Sequence, residues 1–144
     1  MPTIHSYLRF NGNCQEAMDF YKECLGGQIT LQKIGESPMA GQLPKPMQDM
    51  ILHATLKSGG FTIMASDLCD ENGLNKGNNV SLMLDCDSEG QIRTVYDKLS
   101  EGGKKTHPLE ITFWNALFGD LTDKFGINWL MNFQMEDRGR ILDN

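Results

Sequence analysis

At 144 residues with 40% apolar side chains, the chain has an ordinary single-domain size and enough apolar material to bury a core. Nineteen acidic against thirteen basic residues give a net charge of -6, which repels a nucleic-acid backbone, and Lys104-Lys105, the one basic pair, reads as a solvated strand entry. Apolar runs reach only strand length and the start MPTIHSYLRF lacks a basic region followed by an apolar run, so the sequence predicts no membrane partner and a cytoplasmic location.

Residues 3–10 alternate, with Ile4, Ser6, Leu8 and Phe10 on one side and His5, Tyr7 and Arg9 on the other, which is the period of a strand. Asn13 followed by Glu16 forms a capping-box pattern. Ala17, Met18, Tyr21 and Leu25 then hold the helical period until Gly26-Gly27, where a left-handed conformation ends the helix. Residues 28–34 predict a strand. Residues 35–48, rich in Pro, Gly and Met, predict a loop long enough for a lid or a dimer arm. Two more strands, 50–57 and 61–66, flank the hairpin turn Ser58-Gly59-Gly60.

A polar loop over 67–78 leads to a strand at 80–86, and Asp87-Ser88 caps a helix in which Ile92, Val95, Tyr96 and Leu99 share a face before Gly102-Gly103. Strands follow near 104–107, 112–118 and 127–133. Each half therefore reads β-α-β-β-β. Leu8 and Leu25 recur as Leu82 and Leu99 at an offset of 74, and the run Phe61 to Met64 answers Asn128 to Met131. A period of this length marks the duplication of a sheet-forming unit rather than a solenoid. The expected class is α+β, with two tandem βαβββ modules at about 1–68 and 78–134 in one domain over 1–134, each with a four-stranded sheet and its helix outside. Residues 135–144 read as a polar tail.

Cys14, Cys24, Cys69 and Cys86 have no CxxC spacing and predict reduced thiols rather than disulfides or a zinc knuckle. Cys14 stands in the first turn of a helix, where the dipole favours a thiolate. The commoner role of such a cysteine is a small apolar residue on a buried helix face.

Several runs sharpen the reading: Tyr7-Leu-Arg-Phe10-Asn-Gly-Asn-Cys14-Gln-Glu-Ala17, Phe20-Tyr21, Gly26-Gly27, Ser66-Asp67, Pro108-Leu109, Phe113-Trp114, and Asp123-Lys-Phe-Gly126 with Trp129. On these residues, over about 1–133, the chain resembles the PhnB-like family, also described as demethylubiquinone methyltransferase-like, of the glyoxalase/bleomycin-resistance (vicinal oxygen chelate) superfamily. The resemblance implies paired curved mixed sheets around a cavity, often completed in a homodimer. Three methionines in or beside the long loop, Met39, Met47 and Met50, suit an interface of that kind. It also implies positions for a divalent metal, one on each of four strands, which in this chain fall at His5, Met64, Ser81 and Leu130.

Only His5 of that set is a ligand of the expected kind, and shifting the register by one residue substitutes Ile63, Ala65, Val80 or Leu82. His53 and Asp67 could be added to His5. A strand histidine is more commonly a hydrogen-bonded pocket residue, an aspartate at a strand end a turn residue, and His107 before Pro108 a loop residue. The sequence has no GxSxG elbow and no glycine-rich strand-to-helix turn for a nucleotide or S-adenosylmethionine.

The expected function is therefore metal-free and cofactor-free binding of a small molecule. Tyr7, Phe113, Trp114 and Trp129 are the aromatic pocket candidates, His5, His53, Ser66 and Asn115 the hydrogen-bonding ones, and Met64 and Ser81 the floor. The alternatives are a superfamily lyase, isomerase or dioxygenase with a rearranged site around His5 and His53, and the methyltransferase of the family description.

Overall fold

The computed structural model describes residues 1–68 and 72–135. Of the expected features, Cys69 and the tail beyond Met135 lie outside the described residues. The chain divides into two compact units, Met1–Asn75 and Lys76–Asn144.

In the first unit β1 (Ser6–Arg9) leads to α1 (Cys14–Leu25), β2 (Gln28–Lys33), β3 (Ile51–Lys57) and β4 (Thr62–Ser66). The sheet order is β1-β4-β3-β2, with β1 parallel to β4 and the other pairs antiparallel. In the second unit β5 (Leu82–Asp85) leads to α2 (Glu89–Ser100), β6 (Lys104–Ile111), β7 (Ala116–Thr122) and β8 (Asn128–Gln134), and the order β5-β8-β7-β6 repeats the first topology with β5 parallel to β8. The expected α+β fold of two four-stranded mixed sheets and two helices is thus the observed one.

Each helix buries one stripe against its own sheet. Cys14, Ala17, Met18, Tyr21 and Cys24 are buried on α1, and Ile92, Val95, Tyr96, Leu99 and Ser100 on α2. Fully burying one large apolar side chain contributes roughly 1.5–3 kcal/mol, so Met18, Tyr21, Ile92 and Leu99 each add to the stability of their unit. The stripes superpose at an offset of 75, matching Tyr21 to Tyr96 and Cys24 to Leu99, one residue from the offset the leucines suggest. A similar slip affects the last strands. Ile63 and Ala65 are the buried pair on β4 and Trp129 and Met131 on β8, so Met64 corresponds to Leu130 and not to Met131.

The caps differ between the two helices. Ser88 accepts a hydrogen bond from Gln91 N at 3.1 Å and Gln91 Oε1 accepts one from Asp87 N at 2.6 Å, a reciprocal cap close to the expected one. Asn13, by contrast, makes no side-chain cap. Its place is taken by Asp67, whose Oδ1 accepts from Gly12 N at 2.8 Å and Cys14 N at 2.9 Å, while Oδ2 accepts from Ile51 N at 2.8 Å. A fixed carboxylate accepting three amides satisfies donors that a helix start leaves open, which the expected Asn13/Glu16 box does not do here.

The 35–48 segment winds through three short 3-10 turns, Ile34–Glu36, Ala40–Gln42 and Lys45–Met47. It closes on itself: Gln48 Nε2 donates to Ala40 O at 2.7 Å and Leu43 O at 3.1 Å.

The β6–β7 hairpin corrects two expectations. His107 and Pro108 lie inside β6, not in a loop, and Phe113, Trp114 and Asn115 form the turn rather than a strand. β6 is an edge strand with irregular register, which tolerates a proline that cannot donate. The turn is set by Thr112 N to Ala116 O at 2.8 Å and by Asn115 at φ 62°, a conformation that asparagine tolerates better than most residues. Gly119 lets β6 approach β7, since a Cβ there would stand 2.9 Å from His107 O and 3.1 Å from Leu109 N.

Candidate functional site

Alternation along the strands gives each sheet a face turned away from its helix. On the first sheet β1, β3 and β4 bring Tyr7, Met64 and Thr55 into one row by register. His53 lies two residues along β3; its ring is 6.2 Å from that of Tyr7, and its Nε2 is 3.1 Å from Thr55 Oγ1. Tyr7 is about half exposed, and His53 and Met64 are partly exposed. Three of the expected pocket residues are therefore assembled. His5 is exposed and precedes β1, two residues before Tyr7. Ser66 is 1% exposed and its Oγ accepts from Leu68 N at 3.3 Å, so it serves the strand end.

On the second sheet the same face carries three register pairs joined through their side chains. Asn132 Nδ2 donates to Asp85 Oδ1 at 2.8 Å, Thr122 Oγ1 donates to Asn128 Oδ1 at 2.9 Å, and His107 Nδ1 stands 2.8 Å from Asp120 Oδ1. Asn128 Nδ2 also donates to Gly77 O at 3.2 Å and Val80 O at 3.3 Å, fixing the approach to β5. Beside these pairs is a cavity of about 340 Å³ whose lining includes Ser81, Lys104, Thr106, Asp120 and Thr122. Ser81 lines this cavity, while Lys104, Thr106, Asp120 and Thr122 were not named as site residues from the sequence. The available signal was the polar alternation Asp120, Thr122 and Asn128, Asn132 on two interior strands, where one side of a sheet is normally apolar.

Trp129 also borders the cavity. It is 2% exposed and its indole Nε1 donates to Asp123 Oδ2 at 2.9 Å, while Asp123 Oδ1 accepts from Phe125 N and Ile127 N. The Asp123-to-Gly126 motif is therefore a turn anchored to a core tryptophan. Phe113 and Trp114 stack edge to face at 4.8 Å on the hairpin turn, 96% and 47% exposed, and Trp114 stands 6.2 Å from Phe118. Asn115 O accepts from Met135 N at 3.1 Å and from Gln134 Nε2 at 3.2 Å, so its backbone closes the hairpin.

The three described cysteines, Cys14, Cys24 and Cys86, are buried and held away from solvent. Burial, then the nearby Asp67 carboxylate, pushes the Cys14 thiol up from 9.0 to about 12, which overrides the pull of the helix dipole toward a thiolate. Burial, then Asp87 and Asp85, raises Cys86 to about 11. Tyr96 is also raised, by burial and then by Asp120 and Asp97; its hydroxyl lies 2.8 Å from His107 O and 3.1 Å from Asp120 O, tying α2 to the β6–β7 pair.

The donor set does not fit a hard divalent ion. His5 supplies an imidazole, Met64 a thioether, Ser81 a neutral hydroxyl and Leu130 nothing. Asp67 cannot complete a set with His5 and His53, because it is 2% exposed and both its oxygens hold backbone amides. Among the described residues no three His, Cys, Asp or Glu side chains are grouped to hold a metal.

Solved structures place this architecture. A glyoxalase-related enzyme from Fulvimarina pelagi shares the fold at 14% identity and a TM-score of 0.62, over 92% of this chain and 88% of its own. At that identity the likeness shows the fold class alone. The chain belongs to the PhnB-like family whose model, described as 3-demethylubiquinone-9 3-methyltransferase, matches residues 2–132. Protein PA1353 from Pseudomonas aeruginosa is 37% identical with a TM-score of 0.83, over 94% of this chain and all of that one. A PhnB protein from Bacillus cereus is 27% identical with a TM-score of 0.72, over 92% and 99%. Protein YjdN of Escherichia coli K12 is 35% identical over 139 residues, covering 90% of this chain and 93% of the relative.

Proposed function

We propose that the chain is a metal-free small-molecule-binding protein of the glyoxalase/bleomycin-resistance superfamily. The observation that supports the reading is the donor set: of the four strand positions that hold a metal in superfamily enzymes, only His5 carries a ligand of that type. What remains on the helix-free faces is suited to holding a molecule. Tyr7, His53 and Met64 offer an aromatic and polarisable surface on one sheet, and the 340 Å³ cavity offers hydroxyls and charges on the other. Among the described residues both sheets are mixed and neither contains the glycine-rich strand-to-helix turn that commonly serves methyl transfer.

The functional unit is proposed to be a cytoplasmic homodimer. No helix among the described residues is long and apolar enough to cross a membrane, and Ile111, Phe113 and Trp114 expose a contiguous apolar hairpin tip of the kind an interface covers. Native mass spectrometry of freshly purified protein tests the whole reading in one spectrum. The expected species has twice the chain mass with a retained organic ligand and well under one equivalent of divalent metal. A stoichiometric metal lost together with turnover in a His5→Ala variant would instead favour a superfamily enzyme built around His5 and His53.

A further inference from the structure

In the second unit, Lys104 pairs with Thr122 by register, and Asp120 lies two residues back along the same strand. Such diagonal neighbours are roughly 7–8 Å apart across a sheet. Both line the same cavity, yet they form no ion pair with each other, and the Lys104 ammonium has no carboxylate within 4 Å among the described residues. Asp120 has one oxygen committed to His107 Nδ1 at 2.8 Å, and its other oxygen is left as an acceptor. The neutral hydroxyl-bearing Ser81, Thr106 and Thr122 line the same cavity, together with the apolar Leu121 and Trp129.

Part of the lining is held in place, because Thr122 is held by Asn128 and Asn128 by two backbone carbonyls. A cation, a carboxylate acceptor and hydroxyls lining one cavity complement a molecule with an anionic head and several hydroxyls. An uncharged polyol would leave Lys104 without a partner, and an aliphatic acid would leave Asp120 and the hydroxyls facing carbon.

We infer that this cavity binds a small polyhydroxylated organic acid, its carboxylate on Lys104 and a hydroxyl donated to the open oxygen of Asp120. The assignment rests on the small-molecule-binding reading and names the ligand class for one of its two faces. At about 340 Å³ the space lies at the lower end of ligand pockets and admits a chain of a few carbons.

The test is an NMR titration of the ¹⁵N-labelled full chain with three probes: gluconate, which has both features, sorbitol, which has hydroxyls without charge, and hexanoate, which has charge without hydroxyls. Gluconate is expected to shift the amides of Lys104, Thr106, Asp120 and Thr122 saturably, and to bind at least tenfold more tightly than either control. Lys104→Gln and Asp120→Asn should each weaken gluconate tenfold or more while leaving the spectrum of Met1–Asn75 unchanged. Equal binding of all three probes, no saturable shift, or gluconate binding unaffected by either substitution would overturn the inference. If native mass spectrometry nevertheless retains a ligand, or if the shifts fall on Tyr7, His53 and Met64 instead, the binding reading stands and only this ligand assignment fails.

Discussion

Replacing Asp67 with asparagine keeps an oxygen for Gly12 N and Cys14 N but turns an amide N–H₂ toward Ile51 N, setting donor against donor in a buried position. Hydrogen bonds to charged groups contribute about 1.5–3 kcal/mol, so Asp67→Asn is expected to destabilise the chain by about 2–3 kcal/mol in urea unfolding. A loss below about 0.5 kcal/mol would show that Asp67 does not hold the start of α1. Cys14 makes a second prediction at this scale. Its thiol is raised from 9.0 to about 12 in the folded chain, so between these values the unfolded state has released a proton that the folded state keeps. The unfolded state then binds fewer protons, and stability falls as pH rises from about 9 toward 12. Cys86, raised to about 11, adds in the same direction up to its own value. Melting curves at pH 8, 9 and 10 should show this decline, reduced in Cys14→Ala, and iodoacetamide at pH 8 should leave Cys14 unmodified in the native chain.

At the scale of elements, the β6–β7 pair depends on Gly119, because a methyl group there meets the backbone of β6 at His107 and Leu109. Gly119→Ala should cost about 1–3 kcal/mol in thermal or chemical unfolding, the usual range for overpacking against atoms that cannot move aside. Because β6 supplies Lys104 and Thr106 and β7 supplies Asp120, the variant should also alter the cavity. An unchanged melting temperature would mean that β6 shifts freely. Helices α1 and α2 were legible before folding, since the 3.6-residue period of Ala17, Met18 and Tyr21, and of Ile92, Val95 and Tyr96, is a local property. The hairpin was not legible in detail. Phe113 and Trp114 are strand-favouring side chains placed in a turn, and Pro108 and Gly119 are strand-disfavouring residues inside strands, because edge position and close strand approach outweigh intrinsic preference.

For the whole molecule, metal independence has a thermodynamic signature: an ion bound only to the native state raises its stability, and chelation removes that gain. EDTA should leave the melting temperature unchanged, and added Ni, Zn, Mn or Mg should not raise it. A shift of several degrees with any one of them would contradict the reading of His5, Met64, Ser81 and Leu130. The duplicated β-α-β-β-β order, the two helices and the family were all determined by the sequence itself, since each depends on residue types and their spacing along the chain. Only the tertiary structure decided that Asp67 caps a helix 53 positions away, that Trp129 is buried on Asp123, and that Lys104 and Asp120 share a cavity. Strand register and close packing bring those partners together, and neither is written in local periodicity: a shift of one residue moves every side chain of a strand to the other face.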